Sequence, residues 1–317
     1  MNTSEIKKFA TAARRLLLQG VRDKLLTLGF NEQGQVTLAQ LPVLAYNDTN
    51  FNGRIIPGKS FYYQWTALQR AINEKGISNI CEEAAYTWFN RLVAIRILQK
   101  QEKNLIRNVL DFVDDSRTPA IVHDARHGII NGVSDAMRGE LDRLLLDDTK
   151  TTEQFSILIS AFCEDTPLLS KIFGRINDYT ELLLPNDILN SGGFIDLLNN
   201  STYITDEDYL KTELIGWLYQ FYISDRKVEA YQNNGEWSVE EVEAGTQIFT
   251  PNWIVKYMVE NTLGRIYLDK YPDAGLKNEL KYLVQQSAEN ASIYKFERIE
   301  DLRWADLSSG SGHILAE

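Results

Sequence analysis

Near the far end of the 317-residue chain stands Asp306-Leu307-Ser308-Ser309-Gly310-Ser311-Gly312-His313-Ile314-Leu315. An acidic residue, small polar residues and two glycines lie between an apolar, strand-like stretch and what reads as a helix start. This is how the first βα turn of a doubly wound sheet is written, and ligands bind at such strand ends. Glycine lets the backbone turn sharply and approach a ligand without a Cβ in the way. A dinucleotide loop needs a third small residue at position 315, where this chain has Leu315, and the Gly-Lys-Ser/Thr of a P-loop is missing. Pyrophosphate ligands are therefore disfavoured. The Asp306 carboxylate suits a cofactor without phosphate but with a cationic amino-acid end, which is the shape of S-adenosyl-L-methionine. Taken alone, the same residues also describe a plain Gly/Ser-rich loop.

A second segment stands upstream, running from Gly245 to Val259 around Phe249-Thr250-Pro251-Asn252-Trp253. Thr250 is placed to cap a helix and Pro251 to occupy its first position, with Ile254, Val255, Met258 and Val259 forming an apolar face. By itself this reads as a capped core helix. The remaining chemistry-bearing residues are sparse. Cys81 and Cys163 have no CxxC spacing and are expected to be buried thiols. His123 and His127 share an i, i+4 face, but Asp124, Ala125 and Arg126 between them supply no HExxH glutamate, so no metal site is expected.

These segments need elements to hold them. The three- and four-residue spacing of Ile6, Phe9, Ala13, Leu16, Leu17 and Leu25 predicts a helix over 2–28. Further helices are predicted over 61–75, 79–114, 151–163, 206–231, 251–271 and 272–289. A strand is expected at 298–307. The turn cluster Gln232-Asn233-Asn234-Gly235 and the acids Glu236, Glu240, Glu241 and Glu243 suggest a boundary. The expected division is a helical domain at 1–235, then the opening of an α/β Rossmann-like domain at 236–317. The fold class is therefore mainly α.

No apolar run is long enough for a membrane span, and Leu16-Leu17-Leu18 is too short for a signal-peptide core, so a cytoplasmic protein without membrane partners is expected. The net charge is −11. It is uneven: residues 1–110 hold 15 Lys and Arg against 8 Asp and Glu, a net of +7, leaving −18 for the rest. A basic first third could approach nucleic acid, and the acidic remainder could meet a protein. An uneven solvated surface is the plainer reading of the same numbers.

In this order, the Phe249-Thr250-Pro251 segment and the Asp306 loop resemble the DNA amino-methyltransferase family. There the phrase runs approximately Phe-Thr-Pro, a helix, then Asp-Pro-Ala-Cys-Gly-Ser-Gly. The segments 1–28, 85–94 (Ala-Tyr-Thr-Trp-Phe-Asn-Arg-Leu-Val-Ala) and 213–220 (Glu-Leu-Ile-Gly-Trp-Leu-Tyr-Gln) are similar to the PglX family, the adenine methyltransferases of BREX phage-defence systems. The resemblance implies a site-specific, S-adenosyl-L-methionine-dependent adenine-N6 DNA methyltransferase. It implies that Phe249, Thr250 and Pro251 flank the methionine end of the cofactor. Asp306, Ser308, Gly310 and Gly312 would form its loop. The implied partners are double-stranded DNA, other phage-defence proteins and phage inhibitor proteins. A non-catalytic helical module that docks DNA or proteins is the alternative.

Two departures from the family pattern stand out. The Asn-Pro-Pro-Tyr/Phe motif that holds the flipped adenine occurs nowhere in the 317 residues. No catalytic residue is assigned, and the expectation is a chain cut after its first cofactor motif, inactive alone, with residues after about 300 weakly held. Second, Asp306-Leu307-Ser308-Ser309 replaces Asp-Pro-Ala-Cys. Losing a compatible proline loosens the loop by about 1 kcal/mol. A chain carrying Leu307→Pro, Ser308→Ala and Ser309→Cys should therefore bind S-adenosyl-L-methionine more tightly in isothermal titration; equal affinities would sink the idea.

Overall fold

The computed structural model describes residues 1–101, 105–113, 115–173, 179–232, 237, 242, 245–246, 248–285, 296–309 and 312–317. The first helix, α1 (Thr3–Thr27), opens at Asn2, whose side chain accepts a hydrogen bond from the Ser4 amide at 3.1 Å. Of the predicted stripe, Ile6, Phe9, Ala13, Leu17 and Leu25 are buried, joined by Ala10 and Val21, while Leu16 is only half-buried. Each large member of that stripe contributes about 1.5–3 kcal/mol.

Helices α2 (Ser60–Lys75) and α3 (Ile77–Lys100) follow, and α1 packs chiefly on α3. Arg14 of α1 pairs with Glu82 of α3. The two fully buried indoles find carbonyls: Trp65 donates to Leu28 at 2.9 Å and Trp88 to Thr180 at 3.0 Å. A buried indole N–H without such a partner would cost about as much as a lost hydrogen bond. Between α1 and α2 lies a three-stranded antiparallel meander, β1 (Val43–Ala45), β2 (Asp48–Phe51) and β3 (Arg54–Ile56). Asn52 and Gly53 form its second turn, both at positive φ, which is the type I′ geometry that suits strand twist.

The predicted helix over 79–114 is shorter than expected. It stops at Lys100, where Gln101 turns extended and its side chain donates to the Tyr209 carbonyl at 3.0 Å. Stopping there lets the chain fold back. Arg96, 1% exposed, then reaches Asp111 on one side and Asn199 on the other. Residues 102–104 and 114 lie outside the described residues. Helices α4 (Ala120–Arg126), α5 (Asp135–Leu144), α6 (Thr151–Asp165), α7 (Pro167–Phe173) and α8 (Phe194–Asn200) complete the layers over this core.

The predicted helix over 206–231 divides into α9 (Asp206–Tyr209), α10 (Glu213–Tyr222) and α11 (Ser224–Gln232). A capping box between Thr205 and Asp208 starts α9, and its end at Leu210 is a tight turn whose amide goes back to the Glu207 carbonyl at 3.3 Å. By contacts the chain forms two compact units, Asn2–Leu210 and Lys211–Glu317, the second taking in Met1. Both cysteines are free and buried, and burial pushes the Cys163 thiol up to about 12.

Most described residues are helical, so the mainly-α expectation holds. The strand expected at 298–307 is not formed among the described residues. A short 3-10 turn (Ile299–Asp301) stands there, with Ile299 about half exposed, followed by chain outside any strand in which Trp304 is equally exposed. A parallel strand has no ladder until a crossover supplies its neighbour, so the apolar pattern alone cannot order it. The helix expected over 272–289 is likewise replaced by turns and a 3-10 segment at Leu276–Asn278, with 286–289 outside the described residues. No helix among the described residues is long and apolar enough to cross a membrane.

The Arg96 contact generates a stability test. Asp111→Ala leaves a buried guanidinium without its carboxylate and should cost about 3 kcal/mol in urea unfolding. Arg96→Met removes the charge and keeps an apolar stem, so it should cost less; the reverse order would show that Asp111, itself 46% exposed, contributes little.

Candidate functional site

The residues singled out by sequence fall in the second unit, and the Phe249 ring organises what the structure shows of them. Phe249 is 8% exposed and edges onto Trp217 of α10, with ring centroids 5.0 Å apart at 64°. Trp217 in turn stacks on Phe221 at 5.5 Å. The ring can sit there because residue 216 is glycine: a Cβ at Gly216 would lie 1.8 Å from Phe249 Cε2. One turn along α10, the Gln220 side-chain oxygen accepts the Phe249 amide proton at 2.5 Å. Ring and backbone of Phe249 are thus both held by α10.

Thr250 is not the cap that its type suggested. The helix runs Asn252–Val259 and Pro251 is its N-cap, at φ −56 and ψ 142. With Pro251 extended, its carbonyl starts the ladder, accepting from Ile254 at 2.9 Å and Val255 at 3.2 Å. The Thr250 carbonyl is left outside the helix, where His313 Nε2 meets it at 3.2 Å. A π-type turn (Glu260–Gly264) then carries the helix on into Arg265–Lys270. Wide turns of this kind often sit at functional places in helices. Here Glu260, 7% exposed, accepts the Tyr282 amide, and Asn261 holds the Tyr282 carbonyl and the Val284 amide. Those side chains take up the backbone groups that the expected helix over 272–289 would have used.

At the glycine loop, Asp306 Oδ1 accepts the Ser308 amide at 2.9 Å, a turn closed by its own side chain. Asp306 Oδ2 is buried and, among the described residues, has no hydrogen-bond partner. Leu307, in the place of the family's proline, is 97% exposed. The Gly312 amide closes the loop onto the Ser309 carbonyl at 2.7 Å. Gly312 has φ 74 and ψ 8, the left-handed region that a side chain strains to enter, and it caps the short terminal helix His313–Ala316. The nearest atom to a Cβ placed on Gly312 would be Ser309 Oγ, 4.0 Å away, so the space beside it is open. Gly310, assigned to this loop from sequence, lies outside the described residues.

His313 closes the arrangement. Its ring lies on Phe249 with centroids 4.2 Å apart at 34°, while Nε2 reaches the carbonyl of the next residue. The structure therefore joins Phe249 and Thr250 to the residue that follows Gly312. Reading by residue type missed Gly216, Trp217, Gln220 and His313 as parts of this site. The signal available for His313 was only its position after the glycines.

Other clusters stand apart from the loop. His123 and His127 stack on α4 at 4.3 Å, with His127 Nδ1 at the His123 carbonyl, and among the described residues no group of metal-ligating side chains forms. A cavity of about 460 Å³ in the first unit is lined by residues including Lys24, Arg54, Phe61, Glu140 and Ile157. Burial holds Lys24 below and Glu140 above their usual ranges. None of the residues chosen from sequence lines it.

No protein-family model matches the chain. Over its whole length it is 30% identical, across 338 aligned positions, to the adenine-specific methyltransferase BrxX of Escherichia coli O9:H4 (strain HS). It is also 28% identical, over 99% of its length, to the adenine-specific methyltransferase PglX of Lacticaseibacillus casei (strain Zhang). The chain is a homologue of adenine-specific methyltransferases. It spans 27% of the first relative and 28% of the second, so this likeness takes in about a quarter of each. The resemblance carried by Phe249-Thr250-Pro251 and the Asp306 loop thus meets relatives whose alignment takes in both segments.

The Gly216 contact supplies the test of this geometry. Helix propensity favours alanine over glycine by about 1 kcal/mol. Overpacking against a ring held from both sides costs about 1–3 kcal/mol, so Gly216→Ala should lower the unfolding midpoint and alter near-ultraviolet aromatic dichroism. An unchanged spectrum with a raised midpoint would mean that Phe249 moves aside freely.

Proposed function

We propose that this chain carries the helical domain and first cofactor loop of an S-adenosyl-L-methionine-dependent adenine-N6 DNA methyltransferase of the BREX type. The observation that carries the reading is the Asp306 carboxylate. One oxygen is used by the Ser308 amide, and the other is buried and, among the described residues, without a partner, a few residues before a glycine turn. A buried carboxylate oxygen is costly to leave unpaired, and a ligand ammonium would satisfy it. The residues therefore fit the cofactor on chemical grounds, and relatives named adenine-specific methyltransferases support a methyl donor.

In this reading Asp306 accepts hydrogen bonds from the cofactor's amino-acid end. Gly310 and Gly312 let the backbone come close, Ser308 shapes the turn, and Phe249, Thr250 and Pro251 flank the same end. When bound, S-adenosyl-L-methionine supplies a methyl group activated by its sulfonium. The stretch before Asp306 and the helix starting at His313 are then the first strand and helix of a Rossmann-like domain. Further strands would order that stretch. An Asn-Pro-Pro-Tyr/Phe motif, which this chain lacks, would hold the adenine, so the chain alone is proposed to be inactive. Double-stranded DNA is the proposed substrate, and the excess of basic residues in 1–110 suits its phosphates.

Two measurements on the 317-residue chain test this. Isothermal titration should show S-adenosyl-L-methionine binding weakened by about 1.5–3 kcal/mol in Asp306→Ala, the scale of a hydrogen bond to a charged group. Methyl transfer to unmethylated plasmid DNA should be absent. Unchanged binding in the variant would remove Asp306 from the site, and turnover by the chain would overturn the assignment of catalysis to residues outside it.

A further inference from the structure

We propose that His313 is a positioning residue, pinning the glycine loop to the Phe249-Thr250-Pro251 segment and so setting the geometry of the cofactor site. This rests on the cofactor reading above and adds to it how the two halves of the site are held in register. They are separated by more than fifty residues of chain, so proximity in sequence does not align them.

The grip has two points on one dipeptide. The imidazole face lies on the Phe249 ring at 4.2 Å and 34°, and its Nε2 edge meets the Thr250 carbonyl at 3.2 Å. A carbonyl only accepts, so Nε2 carries the proton and the ring is either the Nε2–H tautomer or the cation. Phenylalanine would keep the face and lose the donor; glutamine would keep a donor and lose the face. Histidine supplies both.

The receiving end is itself immobilised. Phe249 is wedged over Gly216, edged by Trp217 and held through its amide by Gln220, so a group anchored to it is anchored to α10. At the other end Gly312, in its left-handed conformation, sets the direction in which the chain leaves the loop. The residue that follows it is therefore where an anchor has most control over the loop. Further along the terminal helix, Glu317 stands 3.7 Å from Lys256, an exposed contact of little strength that follows the same alignment.

The test uses the 317-residue chain with His313→Ala, His313→Phe and His313→Gln. Without ligand, hydrogen exchange at the Phe249, Leu315 and Ala316 amides should be about tenfold faster in His313→Ala, the combined scale of one ring contact and one hydrogen bond. The Phe and Gln variants should fall between, each keeping one contact. S-adenosyl-L-methionine affinity by isothermal titration should drop in the same order, also by about tenfold for alanine. Unchanged exchange in His313→Ala overturns the proposal. Faster exchange with wild-type affinity also overturns it, leaving a structural contact that positions nothing. If Asp306→Ala keeps wild-type affinity, or the wild-type chain binds no cofactor, the cofactor reading has failed instead. The pin between segments is then decided by exchange alone.

Discussion

The ring of Phe249 occupies volume that a side chain on residue 216 would fill, and this contact fixes how residues 249–251 sit on α10. With the ring wedged over α10 and its amide on Gln220, the backbone of residues 249–251 has little freedom left. Pro251 then has one direction in which to start its helix, and the Thr250 carbonyl one direction in which to point. His313 meets both the ring and that carbonyl. Dense packing makes such contacts unforgiving: a methyl group at 216 has no void to enter, so the ring or the helix must move.

Charge is treated differently in the two units. In the first, Arg96 is taken almost wholly out of water and answered by Asp111 and Asn199, which ties the stretch after α3 and the end of α8 to one point. Such a pair gives little net stability against an apolar replacement, yet it penalises any fold that leaves the guanidinium alone. At Asp306 the same physics is left open, since one carboxylate oxygen is buried and unanswered. Arg96 also keeps a buried Nε without a partner among the described residues, so the difference at Asp306 is its place in a glycine loop, where an open carboxylate oxygen suits a cationic ligand.

Much of the first unit was legible because its helices announce themselves. The stripe from Ile6 to Leu25, Leu16 aside, buries as its spacing requires, and helices were expected within a residue or two of α2 and α6. Breaks were less legible. Apolar residues continue past Lys100 and through Leu210, but the extended Gln101 and the tight turn at Leu210 end helices through hydrogen bonds that periodicity does not register. The meander was hidden for another reason. Its strands span three or four residues, too few for an alternation to show, although Asn52-Gly53 is a hairpin signal.

Residue types and order alone pointed to the likeness to adenine methyltransferases, the mainly-α class, and Phe249, Thr250, Pro251, Asp306, Ser308, Gly310 and Gly312 as the segments of interest. They did so because a glycine turn with an acid has few chemical uses, and those uses leave a pattern along the chain. Only the tertiary structure decided that Pro251 and not Thr250 caps its helix, that 298–307 forms no paired strand among the described residues, and that Gly216, Trp217, Gln220 and His313 gather around Phe249. Those outcomes depend on which distant atoms stand nearby. A carbonyl taken by a histidine sixty-three positions away, or a ring seated on a glycine of another helix, leaves no spacing to be read.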